Sequence, residues 1–344
     1  MHPSEKLKKN YLFQENVITH QPVLELLPRI DTLVFDIDGV LIDVRNSYRN
    51  AICKTVQYYF KEILKFKGSQ QLILPEETKY FKMAGGFNND WDLTSAVILF
   101  YLWKSAADKS DNVDILRYKT PEIQIYCTKI LIPGGGLKKN IELIQQKSEQ
   151  LKEKIFSLWN RKLIIKLFKE IYAGKNCFNM YGFHPSIVES VGLIRNERNI
   201  FSEKQKVFLE KFSIGVLTGR TNREAEFALN GLGWNDLLSK KQVMTANDVA
   251  GKPDPEGLMK LSAHLNTKLG LYIGDIPDDL QTGKNFNNES KGTRFLSAIV
   301  LGEKFDFGNK MVDFYLNAEV DLLAKDVNGI LKWVKKNRNK KFDE

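Results

Sequence analysis

The chain has 344 residues, 43% hydrophobic and 27% charged, with 51 lysines and arginines against 42 acids and a net charge of +9. That is the composition of a globular protein of one large or two ordinary domains. No apolar run approaches the ~20 residues of a transmembrane helix, which excludes a membrane-spanning role. Met1 to Lys6 lacks the apolar core of a secretory signal, and Cys53, Cys127 and Cys177 show no CxxC spacing. Buried reduced thiols and a cytoplasmic location are the expectation.

Residues 1 to about 30 read as a lead-in arm or short helix, broken by Pro22 and Pro28. Thr32 to Phe35 reads as a short strand buried on both faces, as in parallel sheets. It runs into Asp36-Ile37-Asp38-Gly39. Two carboxylates two residues apart on an extended strand end face one side, and their repulsion calls for a cation or a shared proton. From Ser47 to Phe66 the spacing of Ala51, Ile52, Val56, Tyr59, Phe60, Ile63 and Leu64 predicts an amphipathic helix. Further helices are expected over 75–81, 90–105, 121–130, 137–149 and 151–172, with no convincing strand between about 45 and 200. Beyond Phe201 strands and helices alternate. Strands are expected at 213–217, 242–245, 270–273, 297–301 and 314–316, and helices at 202–212, 221–232, 254–265, 277–285 and 326–336. This alternation predicts βαβ units, hence an α/β fold with a Rossmann-like, doubly wound parallel sheet. The mostly helical block 45–200 reads as a cap domain inserted into a core made of 1–44 and 201–344.

The charge is unevenly placed. Between Arg45 and Ile200 there are 25 lysines and arginines against 15 acids, and elsewhere 26 against 27. The insert thus carries the whole excess, which suits an anionic ligand or simply a solvated lysine-rich surface. There is no glycine-aromatic RNA signature and no tight basic run outside Lys335–Lys341, which argues against a nucleic-acid partner.

Four expected strand ends carry polar groups: Asp36-Ile37-Asp38-Gly39, Thr218-Gly219-Arg220, Gly251-Lys252-Pro253-Asp254-Pro255, and Gly274-Asp275-Ile276-Pro277-Asp278-Asp279. Each alone reads as a turn or a helix cap. Together, at the ends where open α/β sheets bind ligands, they form a site. Asp36, Asp38 and Asp275 can share a hard divalent cation, which favours oxygen ligands. Thr218, the Gly219 amide and Lys252 can hold a transferring phosphoryl group.

The stretches VFDIDGVL (34–41), GVLTGR (215–220), GKPDP (251–255) and YIGDIPDD (272–279) resemble, in order, the four motifs of the haloacid dehalogenase superfamily. Aspartates at both 36 and 38 resemble its phosphatase branch. A long helical insert after the first motif, with Lys252 only 34 positions beyond Thr218, is similar to members capped after that motif, the phosphoglycolate-phosphatase-like branch. The resemblance implies that Asp36 attacks phosphorus and forms an aspartyl-phosphate. Asp38 would protonate the leaving oxygen and then activate water. Mg²⁺ would be held by Asp36, the Asp38 main-chain carbonyl and Asp275. Asp279 would support the metal or replace one of its waters. Thr218 and Lys252 would bind the phosphoryl oxygens, and a small phosphorylated metabolite is the implied substrate. In the insert, Lys82 and the run Gly86-Phe87-Asn88-Asn89-Asp90 are the candidate specificity loop, against the simpler reading of a turn and helix cap. A phosphomutase or a phosphonate hydrolase uses the same scaffold. A silent binding protein would need a broken motif, and none of the five key residues is missing.

Overall fold

The computed structural model describes residues 9–339 except 88, 133, 134, 189, 235, 307 and 308. It divides into two compact units, Met1–Asp43 with Arg198–Glu344, and Val44–Glu197.

The first unit is built on an eight-stranded sheet. In chain order its strands are β1 (Tyr11–Phe13), β2 (Val17–His20), β3 (Thr32–Phe35), β6 (Ser213–Leu217), β7 (Val243–Met244), β8 (Leu269–Gly274), β9 (Arg294–Val300) and β10 (Leu322–Ala324), while β4 (Ile42–Asp43) and β5 (Arg198–Asn199) form a separate antiparallel pair. The sheet order is β1-β2-β10-β9-β8-β3-β6-β7. Six strands are parallel, and β3 lies between β8 and β6 with Phe35 opposite both Ile273 and Val216. Such strands are covered on both faces, which is why Leu33, Val34, Phe35, Leu271 and Ile273 are all buried.

Two elements differ from expectation. The opening segment is an antiparallel hairpin, with Tyr11 opposite His20 and Leu322 opposite Thr19, so it extends the sheet at the β10 edge. Phe314 to Leu316 belongs to the helix Lys310–Asn317, where Val312, Tyr315 and Leu316 are buried at helical spacing. The last strand is instead Leu322–Ala324.

The second unit is helical, with no named strand among its described residues. Its central helix, Asp90–Asp108, is apolar almost all round, as a helix surrounded by others must be. Helices Tyr48–Tyr58, Gly136–Gln145, Glu149–Leu158 and Arg161–Ala173 pack on it. Tyr48 stacks on Tyr172 at 4.2 Å between ring centres. Cys53, Cys127 and Cys177 are buried and unpaired. No helix among the described residues is long and apolar enough to cross a membrane.

Candidate active site

The C-terminal ends of β3, β6 and β8 lie side by side, so the residues that follow them meet. The Asp36 N–H donates to Ile273 O (2.9 Å) and Thr218 N–H to Met244 O (2.9 Å), which carries the ladder one residue beyond each strand. Asp36 is 5% exposed, Thr218 3% and Lys252 6%. A charge this deep needs partners. Asp36 Oδ1 accepts the Ile37 N–H (2.8 Å), and Oδ2 meets Lys252 Nζ at 3.1 Å. Lys252 also meets Asp279 Oδ1 at 2.7 Å.

Asp279 is held from four directions. Its Oδ1 takes Lys252 and the Tyr272 hydroxyl (2.6 Å), and its Oδ2 takes the Asp275 and Ile276 amides (3.0 and 3.1 Å). Burial pushes the Asp279 carboxyl up, but Lys252, Tyr272 and the Ile276 amide outweigh it and hold it below the usual carboxylate range. Burial pulls Lys252 down, and Asp279 and Asp36 overcome this and keep it an ammonium well above its ordinary value. Asp36 goes the other way. Burial, with Asp279 and Asp38 beside it, pushes its carboxyl up to about 7 despite Lys252.

Carboxylate oxygens of Asp36, Asp275 and Asp279 lie within 4.8 Å of one another. An all-oxygen acidic donor set suits a hard divalent cation. Both Asp279 oxygens already accept two donors each, so Asp36 and Asp275 could hold such an ion directly with Asp279 bracing them. Gly39 makes room for this arrangement. It sits at φ +78°, and a Cβ there would collide with Asp275 Oδ2.

Asp38 is not among those three carboxylates, and its side chain is 30% exposed. Arg220 grips it, with Nε at 2.9 Å and an NH2 at 2.6 Å, both on Oδ1. Asp36 and Asp38, two residues apart, therefore occupy different surroundings, one buried against a lysine and one half-open against an arginine. Thr218 Oγ1 accepts the Arg220 N–H (3.2 Å). Gly219 lies in this same turn between β6 and the helix Asn222–Gly231. Arg220 and Tyr272 were missed by sequence reasoning. The signal for Arg220 was present in Thr218-Gly219-Arg220, where a cation follows the threonine and glycine of the turn after a buried strand. Tyr272 read only as part of an apolar strand.

In the helical unit, the residues of the candidate loop turn to one another. Lys82 Nζ meets Asp90 Oδ1 at 2.9 Å and Phe87 O at 3.1 Å. Phe87 is 1% exposed and packs edge-on against Phe81 at 5.8 Å, a core position. Asn89 caps the helix Asp90–Asp108, its Oδ1 accepting the Asp92 N–H (2.8 Å). Gly86 is at φ +76°, and its backbone lies close against Gly136, whose N–H donates to Gly85 O (3.1 Å). Asn88 lies outside the described residues.

A solved phosphatase, Tt82 from Thermococcus thioreducens, is 24% identical, with a TM-score of 0.52 over 83% of this chain and 99% of its own. A structural-genomics target at 15% identity has a TM-score of 0.53 over 90% and 100% of the two chains. Both likenesses are of fold. The imidazoleglycerol-phosphate dehydratase of Phytophthora nicotianae is 31% identical over 70 residues, which are 20% of this chain and only 13% of that protein's length. The family model for a haloacid dehalogenase-like hydrolase matches residues 30–287, from the residue before Asp31 through all four acidic and basic strand ends. With that model spanning most of its length, the chain belongs to the haloacid dehalogenase-like hydrolases.

Proposed function

We propose that this protein is a Mg²⁺-dependent phosphatase that hydrolyses a small phosphorylated metabolite through an aspartyl-phosphate on Asp36. The observation that carries the reading is the division of labour between two neighbouring carboxylates. Asp36 faces Lys252 at 3.1 Å and shares an acidic cluster with Asp275, and Asp38 is paired with Arg220 at 2.6 Å. Pairs of acids with contrasting surroundings take different chemical roles.

Asp36 and Asp275 would hold the cation, with the Asp38 main-chain carbonyl, and Asp279 would brace them. When bound, the ion supplies positive charge that neutralises Asp36 and the phosphoryl oxygens. Lys252 adds a fixed ammonium on the same side, and Thr218 and the Gly219 amide offer donors to the phosphoryl group. Asp36 attacks phosphorus in line while Asp38 protonates the departing alcohol oxygen. Asp38 then takes a proton from the water that attacks the aspartyl-phosphate. The unit 44–197 is proposed as the cap that selects the substrate, and its excess of nine positive charges supports a substrate with a further anionic group.

The test is phosphate release from a panel of phosphorylated metabolites in Mg²⁺, with Asp36→Asn as the blank. Turnover with stoichiometric free phosphate, abolished in the variant, is expected. Transfer of phosphate back to an acceptor without release, or full activity of the variant, would overturn the reading.

A further inference from the structure

Arg220 takes part in no chemical step of the scheme above, yet it is among the most constrained residues of the site. Its side chain is 1% exposed. Its N–H donates to Thr218 Oγ1 (3.2 Å), and its NH1 leans on Glu224 O at 3.5 Å. Thr221, the next residue, opens the helix Asn222–Gly231 with a capping box in which Glu224 Oε2 takes the Thr221 N–H (2.8 Å) and hydroxyl (2.7 Å). The guanidinium is therefore fixed to a first helical turn that is itself locked.

What it does there is unusual. An arginine normally spreads over both oxygens of a carboxylate. Here Nε and NH2 both converge on Asp38 Oδ1, at 2.9 and 2.6 Å. Among the described residues Oδ2 accepts no donor, and the Asp38 side chain is 30% exposed. One oxygen is committed and the other is open.

We infer that Arg220 is a positioning residue that makes Oδ2 of Asp38 the proton-carrying oxygen. This rests on the proposed acid–base role of Asp38. Oδ1 already accepts two charged N–H donors, so a proton there would displace one of them. A carboxyl protonated on Oδ2 keeps both bonds, because Oδ1 remains an acceptor. In the first step the Oδ2–H proton passes to the ester oxygen. The P–O bond breaks with its electron pair leaving on the alcohol, and an Asp36 oxygen forms the new bond to phosphorus. In the second step the Oδ2 carboxylate takes a proton from water as the water oxygen bonds to phosphorus and Asp36 departs. Arg220 touches neither substrate nor phosphorus in this scheme.

The experiment compares kcat/KM for p-nitrophenyl phosphate and phenyl phosphate in Mg²⁺, for the full chain and for Arg220→Met, Arg220→Lys and Asp38→Asn. A nitrophenolate leaves without help, whereas phenolate needs the proton. Arg220→Met is expected to lose about 100-fold on phenyl phosphate and less than about tenfold on p-nitrophenyl phosphate, the pattern of a weakened general acid. Asp38→Asn should follow the same pattern, and Arg220→Lys should fall between wild type and Arg220→Met. Equal losses on both esters mark a merely structural role and overturn the inference. If Arg220→Met does not fold by circular dichroism, Arg220→Lys is read by the same criterion. Absence of turnover by the wild type on both esters defeats the phosphatase reading itself, and is distinguished by appearing before any substitution is made.

Discussion

Asp36 and Asp279 compete for one ammonium group. Lys252 Nζ is 3.1 Å from the first and 2.7 Å from the second, and only Asp279 has a tyrosine hydroxyl and two backbone amides besides. The Asp279 carboxyl is therefore held below the usual carboxylate range, while the Asp36 carboxyl is pushed up to about 7 by burial and by its acidic neighbours. With the folded value above the ordinary carboxylate value, the native state binds the extra proton between about pH 4 and pH 7. In chelator, stability should therefore fall as pH rises through that window. Asp36→Asn should melt higher than wild type at pH 8 and level with it at pH 5. A wild type that gains stability between pH 5 and 8 would contradict this. Lys252 is the other half of the account. Lys252→Met leaves two buried carboxylates facing each other and should lower stability at pH 8 by about 3–5 kcal/mol in denaturant unfolding. The loss should shrink at pH 5, where Asp36 is protonated.

Among the elements, the turn after β3 carries the tightest constraint. Gly39 combines a φ of +78° with a backbone that faces the Asp275 carboxylate. Gly39→Ala is expected to displace Asp275 and to cut kcat/KM by at least about 100-fold, an effect of small shifts on positioned groups. Unchanged activity and unchanged Mg²⁺ dependence would show that the turn does not set the site. In the helical unit, Glu170 is buried and its Oε2 accepts the N–H groups of Ser186, Ile187 and Val188. Glu170→Ala should destabilise the protein by about 3 kcal/mol, because those amides lose their acceptor. Such elements were readable to very different degrees. Thr32–Phe35 and Leu269–Gly274 are apolar runs ending in glycine or acid, and their place in the sheet follows from that pattern. The hairpin Tyr11–His20 has strands of only three and four residues, and the second joins the sheet through the distant Leu322–Ala324, so little in the local sequence announces it. Phe314–Leu316 shows three apolar residues in a row, as a buried strand does. Only Val312 one turn earlier marks it as a helix.

At the scale of the whole molecule, residues more than two hundred positions apart make one site. Asp36, Thr218, Lys252 and Asp275 were legible because each follows a recognisable strand or precedes a proline-started helix. Arg220 and Tyr272 were not, since their partners depend on side-chain directions that no spacing records. The helical unit was the least legible. Lys82, Phe87 and Asp90, singled out as polar and aromatic, serve one another and the core there. A divalent cation bound by the native state alone should stabilise the whole chain, by about 2.7 kcal/mol at one hundred times its Kd. Mg²⁺ should thus raise the melting temperature at pH 8, and Asp275→Asn should abolish the rise. An equal rise in that variant would place the cation elsewhere.

In the proposed reaction Asp36 becomes phosphorylated during turnover. Borohydride added to the enzyme while it turns over a phosphate ester in Mg²⁺ reduces an acyl phosphate to the alcohol. Peptide mass spectrometry should then find homoserine at position 36, and only when substrate is present. Full phosphate release with Asp36 recovered unchanged, or label at another carboxylate, would contradict the account.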